Sequence, residues 1–396
     1  MFPSEKKTNR IPALDGLRGV AISLVLLWHY LSCQIIKPTA PGTWHARIEK
    51  YLWTTWTGVD LFFILSGFLI FQSFFKEYTN RGFLWAYFVR RSFRILPLYL
   101  VLVFCFIVFR AVIPSPERFS WLLDGAFPLW SYFTFTQNWI MGAKNFFGCH
   151  WLGVSWSLAV EEQFYLVAPL LFLLMCRFNR WWFFALLWFF PVYLRTLDFG
   201  FYRVTGTLFR LDALLLGACV SFFLSTPKTL NQLQQRPWVS WCFLIGSLAL
   251  VVAKLVYPYF SILGWYDIFA VYALFYACIV LHVSLAPKGL LGRALSNKAL
   301  VHLGRVSYGV YLFHEVFSGL FHGFLFGGEP KLNSLAQGAA TLMALVCSLV
   351  FGDILHRCIE APFIKMGRRI SSRLQMAPST SAKDLPLGGF SSDCKR

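Results

Sequence analysis

Charged side chains are scarce in this chain. They make up 14% of 396 residues, and the shortage is mostly acidic, with 18 Asp and Glu against 36 Lys and Arg, a formal net charge of +18. A soluble domain carries about 25% charged residues, and no polar stretch here is long enough to enclose a core of its own, so a separate soluble domain is excluded. The ten cysteines are scattered, mostly in apolar segments, with no C-x-x-C pair and no metal-ligand spacing. That excludes the common zinc and redox motifs and leaves them as small core residues; Cys33 and Cys149, expected near the outer face, are the candidate disulfide pair. A cleavable leader is also missing: MFPSEKKTNR is polar and basic, and the first apolar run has no small-residue cleavage site, which predicts a retained span. No internal repeat is apparent, although transporters are often built from them.

What is present is hydrophobicity, at 57% of residues with a mean hydropathy of +0.58. It comes in apolar runs of about twenty residues, which predicts an all-α polytopic membrane protein. Ten spans are expected, at about 16–36, 56–75, 95–113, 155–176, 181–198, 207–225, 238–256, 265–286, 301–325 and 335–356. Basic residues gather between alternate spans: Lys6, Lys7, Arg10 and Arg18; Lys76, Arg81, Arg90, Arg91 and Arg94; Arg177 and Arg180; Lys228 and Arg236; Lys288, Arg293 and Lys298; then Arg357, Lys365, Arg368, Arg369 and Arg373. This places both termini in the cytoplasm and assigns the positive charge to topology and anionic lipid, not to nucleic acid. The expected organisation is a cytoplasmic segment over 1–15, a transmembrane domain over 16–363, and a basic, disordered tail over 364–396. Residues 114–150, aromatic but interrupted by Pro and Gly, read as an outer loop with an interfacial or re-entrant helix.

Ionisable residues inside apolar runs are functional candidates. Arg18 and His29 share the first run; on a helix their separation is roughly 16 Å, which sets Arg18 at one membrane face and His29 near mid-depth. Asp60, in GVDLFFILSGFLI, reads either as an interfacial helix cap or as a site carboxylate. Arg90, Arg91 and Arg94 of FVRRSFRILPLY suit lipid headgroups or a phosphate clamp equally. Glu161 and Glu162 point about 100° apart on a helix, so one of them is expected to face the interior. Arg210 and Asp212 suit structural ion pairs, with each other or with other buried charges, or a substrate contact, and His314 a satisfied core histidine or a substrate contact. Asp60, Glu161, Glu162, Arg210 and Asp212 are all expected toward the outer side. A secondary transporter or flippase would also place ionisable groups at mid-depth.

The ordered motifs LDGLRG with Arg-x10-His, GVDLFFILSGFLI, FVRRSFRILPLY, WSLAVEEQFYL, FRLDALLLG and SYGVYLFH resemble the acyltransferase-3 family of integral-membrane acyltransferases, from Ile11 to about Phe363. The resemblance implies transfer of an acyl group, commonly acetyl from acetyl-CoA, to a carbohydrate hydroxyl such as that of lipopolysaccharide O-antigen or an exopolysaccharide, in a bacterial inner membrane. It implies His29 as the catalytic residue; acting as general base or as covalent acyl carrier, it would take Asp60 or one of Glu161 and Glu162 as the candidate acidic partner. Arg18, Arg91 and Arg94, with Arg90 beside them, would hold the CoA phosphates; Arg210, Asp212 and His314 would meet the acceptor. No metal is expected. Many relatives carry a fused extracytoplasmic hydrolase-like domain, and its absence from this sequence implies a reaction completed within the membrane.

Overall fold

A computed structural model describes residues 11–34, 52–80, 82–113, 116–178, 181–256 and 267–376. Lys6, Lys7, Arg10, Arg81, Arg180 and residues 377–396 lie outside them. Among the described residues the long elements are helices and there are no strands. In chain order they are α1 (Pro12–Leu27), α2 (Gly58–Glu77), α3 (Phe83–Val112), α4 (Ser155–Phe178), α5 (Trp181–Leu194), α6 (Thr207–Ser225), α7 (Pro237–Val256), α8 (Asp267–Leu285), α9 (Lys298–Phe326), α10 (Leu335–Leu355) and α11 (Ala361–Met376). Each of the ten expected spans falls on one of α1–α10. Eight segments are long and apolar enough to cross a membrane. The other two are α5, only 14 residues long, and α9, which carries Lys298, Arg305, Glu315 and three histidines. Pro97, Pro169 and Pro191 lie inside helices, where neighbouring helices can re-satisfy the freed carbonyls.

Two seams of small residues hold the bundle together. Added Cβ atoms at Gly16 and Gly19 on α1 would overlap the carbonyl oxygens of Leu295 and Leu300, and one at Gly304 on α9 would overlap that of Asp15. Likewise Gly67 on α2 meets the Leu214 carbonyl and Gly217 on α6 meets that of Ile64. Lipid gives helices little hydrophobic reason to associate, so contact at backbone distance supplies the van der Waals and dipolar attraction instead. Much of the aromatic content fills the space around these seams: Phe71, Phe74 and Phe172 form one ring cluster, with centroids 5.2–6.0 Å apart.

Residues 116–153 cover most of the stretch expected to be an outer loop with an interfacial or re-entrant helix, and they are largely helical. They form five short helical turns packed into the bundle, with Leu122, Ser131, Tyr132, Gln137, Asn138 and Trp151 buried. Gln137 donates to the Ser155 carbonyl at 3.1 Å, Asn138 to that of Thr205 at 3.1 Å, and the Tyr99 hydroxyl to that of Tyr132 at 2.9 Å. Buried polar groups require such partners, and these pin the segment into the bundle. The N-terminus of α4 is therefore sunk into the protein.

Two further expectations change. Residues 364–376 are not a disordered tail: α10 continues through a π-turn at His356–Glu360 into α11, which packs along α3 and sets Gly367 against the Phe93 side chain. Cys33 and Cys149 are both free thiols. Burial pushes the Cys149 thiol up to about 12, so it stays protonated and unreactive at neutral pH.

Candidate active site

Two cavities meet inside the bundle. The smaller, about 100 Å³, is lined by Arg18 of α1, Arg91 and Arg94 of α3, and Glu161 and Tyr165 of α4. The larger, about 400 Å³, is lined by His29, His150, Trp156, Arg210, Phe269 and Glu315 among others. Val59 and Tyr311 line both and form the partition. Tyr311 is held there by its hydroxyl, which donates to the Val154 carbonyl at 2.9 Å and lies 2.6 Å from Ser157 Oγ.

His29 sits in a single π-turn, Trp28–Ser32, at the end of α1. Such turns interrupt the regular ladder and recur at functional sites. The turn is braced from outside. Gln34 donates to the His29 carbonyl at 3.1 Å and to Ser318 Oγ at 3.0 Å, and it accepts from Thr341 at 2.8 Å. The Tyr30 hydroxyl donates to the His314 carbonyl and lies against Ser348 Oγ, each at 2.7 Å. So held, the His29 ring presents Nδ1 to Glu315 Oε1 in a direct hydrogen bond. Its partner is thus Glu315 of α9, brought close by the glycine seam between α1 and α9. His150 Nδ1 approaches the other Glu315 oxygen at 3.9 Å, with its ring stacked on Trp121 at 3.8 Å. His314 is fully buried; its Nδ1 donates to the Tyr311 carbonyl at 2.7 Å, and its ring meets that of His29 edge-on at 4.9 Å.

The carboxylates expected beside His29 are committed elsewhere. Asp60 pairs with Arg210, and Arg210 also lies 4.2 Å over the Phe269 ring. Asp212 does not pair with Arg210; it binds Arg195 at 2.6 Å, a residue the sequence reading passed over. The two pairs join α2 to α6 and α6 to the end of α5, and both guanidinium groups lie over the Phe269 ring, Arg195 at 5.5 Å and Arg210 at 4.2 Å. Glu161 is not toward the His29 end. It accepts from Tyr165 at 2.8 Å and lies in the field of Arg91, Arg94 and Arg18, because the sunken start of α4 carries it down to the arginine cavity. Arg91 stacks over Tyr165 at 5.2 Å. Glu162 lines neither cavity. Arg90 lies outside the arginine cavity as well, bound to Glu77 at 2.5 Å.

Of the expected site, the structure brings together Arg18, Arg91, Arg94 and Glu161 in one cavity, and His29 and Arg210 in the other. Glu315 and His150 were missed. Glu315 adjoins His314 within SYGVYLFHE, and a carboxylate in an apolar run was the available signal; its pairing depends on helix contacts that no spacing along the chain encodes. Chemically, a histidine bound to a buried carboxylate can take and return a proton. A wall of guanidinium groups can hold phosphate.

Residues 11–353 match the family described as "Acyltransferase domain". The chain is 27% identical to a protein of Staphylococcus aureus (strain COL) named "Putative O-acetyltransferase SACOL0978", over 92% of this chain and 59% of that one. It is 26% identical to "O-acetyltransferase OatA" of S. aureus (strain MRSA252), over 94% of this chain and 60% of that one. The chain thus spans about three-fifths of the length of these curated relatives. No solved structure is detectably similar. With the family match running from the first described residue almost to the end of α10, across both cavities, the chain belongs to the acyltransferase-3 family.

Proposed function

We propose that the protein is a membrane O-acyltransferase, moving an acyl group, acetyl in the first instance, from acyl-CoA to a hydroxyl of a cell-envelope or exported carbohydrate. The observation that carries this reading is the joined pair of cavities, one walled by arginines and the other opening on the His29–Glu315 pair. In it, the CoA phosphates rest on Arg18, Arg91 and Arg94 from the cytoplasmic side, where the basic residues cluster, and Glu161 fixes the spacing of the guanidinium groups. The pantetheine arm passes Val59 and Tyr311 and brings the thioester to His29. A carbohydrate or glycolipid, such as a lipopolysaccharide O-antigen or exopolysaccharide precursor, enters the larger cavity from the other face. Trp156 and Trp53 offer it stacking surfaces, and Arg210, whose buried Nη1 has no protein partner, offers it a donor.

With Nδ1 bound to Glu315, His29 keeps Nε2 for the reaction. The acceptor hydroxyl attacks the thioester carbonyl as His29 takes its proton, and Glu315 stabilises the imidazolium. Collapse of the tetrahedral adduct breaks the C–S bond. His29 then returns the proton to the departing thiolate, giving free CoA and the ester. No net proton is gained or lost by the site.

CoA release from acetyl-CoA, measured on membranes carrying the protein with a glycolipid extract as acceptor, tests the reading. Acceptor-dependent release that disappears in His29→Ala is expected. Release that persists in a correctly inserted His29→Ala protein overturns the assignment of the base. No release across a broad donor and acceptor panel overturns the enzyme reading and favours transport.

A further inference from the structure

His314 is arranged as a metal ligand usually is. Its Nδ1–H is tied to a backbone carbonyl, which fixes the tautomer and leaves Nε2 as a bare lone pair. That Nε2 is buried and has no hydrogen-bond partner, which is costly in a membrane interior unless something else uses it. What lies near it is the His29–Glu315 pair. One donor atom from each of His29, His314 and Glu315 lies within 4.8 Å of the other two. A four-coordinate zinc shell, with bonds of about 2.0–2.1 Å, has donor separations of roughly 3.4 Å. The direct His29–Glu315 contact is closer than that and has to open to admit an ion, for which the ring of His29, 27% exposed at the cavity wall, has room. Two imidazoles and a carboxylate form a set that zinc prefers, and the fourth position would face the larger cavity, open to water or to His150. The ligands come from α1 and α9, so no motif spacing announces them.

We infer that His29, His314 and Glu315 form a binding site for a zinc-class divalent ion, and that the bound ion inhibits transfer. The ion takes the place of the proton that His29 Nδ1 shares with Glu315; that proton moves to Nε2, so the ring binds as neutral imidazole through Nδ1 and its basic lone pair is gone. His29 then has neither its carboxylate partner nor the freedom to cycle a proton, and the cavity mouth of the site is filled. The binding part of this inference stands on the geometry alone; the inhibitory part rests on the proposed transferase reaction, and the two are read separately.

Zn²⁺ titration of the purified full chain, followed by calorimetry and a competing zinc fluorophore, should give one tight site. His314→Ala and His314→Gln should each weaken it at least tenfold, while His302→Ala, in the separate exposed cluster with Asp353, leaves it unchanged. X-ray absorption at the zinc edge of the unaltered protein should show nitrogen and oxygen ligands including two imidazoles. In the CoA-release assay, Zn²⁺ should inhibit at the occupancy that the titration defines, and a chelator should restore turnover. Binding unaffected by either His314 change, or a thiolate-rich zinc shell, overturns the site. Binding without inhibition in an active preparation overturns the inhibitory role. If CoA release is absent before zinc is added, the transferase reading fails, and the titration still decides the site.

Discussion

At the scale of single residues, charge and shape can be separated at Glu315. Glu315→Gln keeps an oxygen facing His29 Nδ1 but removes the charge that, in the proposed reaction, stabilises the imidazolium. Turnover should fall by about 10²–10⁴-fold, the range for losing the orienting acid of a histidine base, with the melting temperature in detergent little changed. An effect below about threefold would mean that Glu315 is structural. Asp60 should behave in the opposite way. It and Arg210 are each 2% exposed as side chains, so Asp60→Ala strands a buried guanidinium and should cost about 3–5 kcal/mol of stability. A thermal melt reads that loss, and Asp60→Ala combined with Arg210→Met should recover most of it. If Asp60→Ala abolishes transfer while the melt stays put, Asp60 has a catalytic role that the ion pair does not account for.

At the scale of elements, the glycine seam joining α1 and α9 is what makes the His29–Glu315 pair. Gly304→Leu would drive a side chain into the Asp15 carbonyl and push the two helices apart, so folded yield should collapse. Gly246→Ala, where an added Cβ meets nothing within 4 Å, is the matched control and should express normally. Size-exclusion profiles of the two variants in detergent decide this; equal yields would show that the seam yields easily.

The same scale explains what could be read from the chain. Each apolar run announced its helix, because in lipid a run of that length has few alternatives. The cluster of Arg18, Arg91 and Arg94 was legible too, since Arg91 and Arg94 share a helix face and all three sit at the same end of their spans. The depth of α4 was not. It is set by Gln137, Asn138 and Tyr99 bonding a folded-back segment into the bundle, and those partners are remote in sequence. Glu161 was consequently expected toward the outer side, away from the arginines whose cavity it lines. The partners of His29, Arg210 and Asp212 were beyond reach for a related reason: several carboxylates lay at compatible depths, and only helix rotation and closeness of approach choose among them.

For the whole molecule, the proposed reaction raises the question of how two substrates entering from opposite faces would meet without opening a path for water or for the thioester to escape. Tyr311 is placed to control this, since it lines both cavities and its hydroxyl is anchored to Val154, just before α4, and to Ser157 of α4. In the proposed reaction a closed partition keeps the arginine cavity from flooding the site, and the donor's own arm fills the passage when it binds. Tyr311→Ala removes both the ring and the anchors. Water should then compete with the carbohydrate hydroxyl for the acyl group, with His29 serving either nucleophile. The measurable quantity is the ratio of CoA released to acceptor acylated, which is one for tight coupling. It should rise several-fold above one in Tyr311→Ala, and CoA release should appear even without acceptor. Tyr311→Phe keeps the ring and loses only the anchors, so its ratio should lie between the two. A ratio that stays at one in Tyr311→Ala while turnover persists would show that the partition is maintained elsewhere, with Val59 the remaining residue common to both cavities.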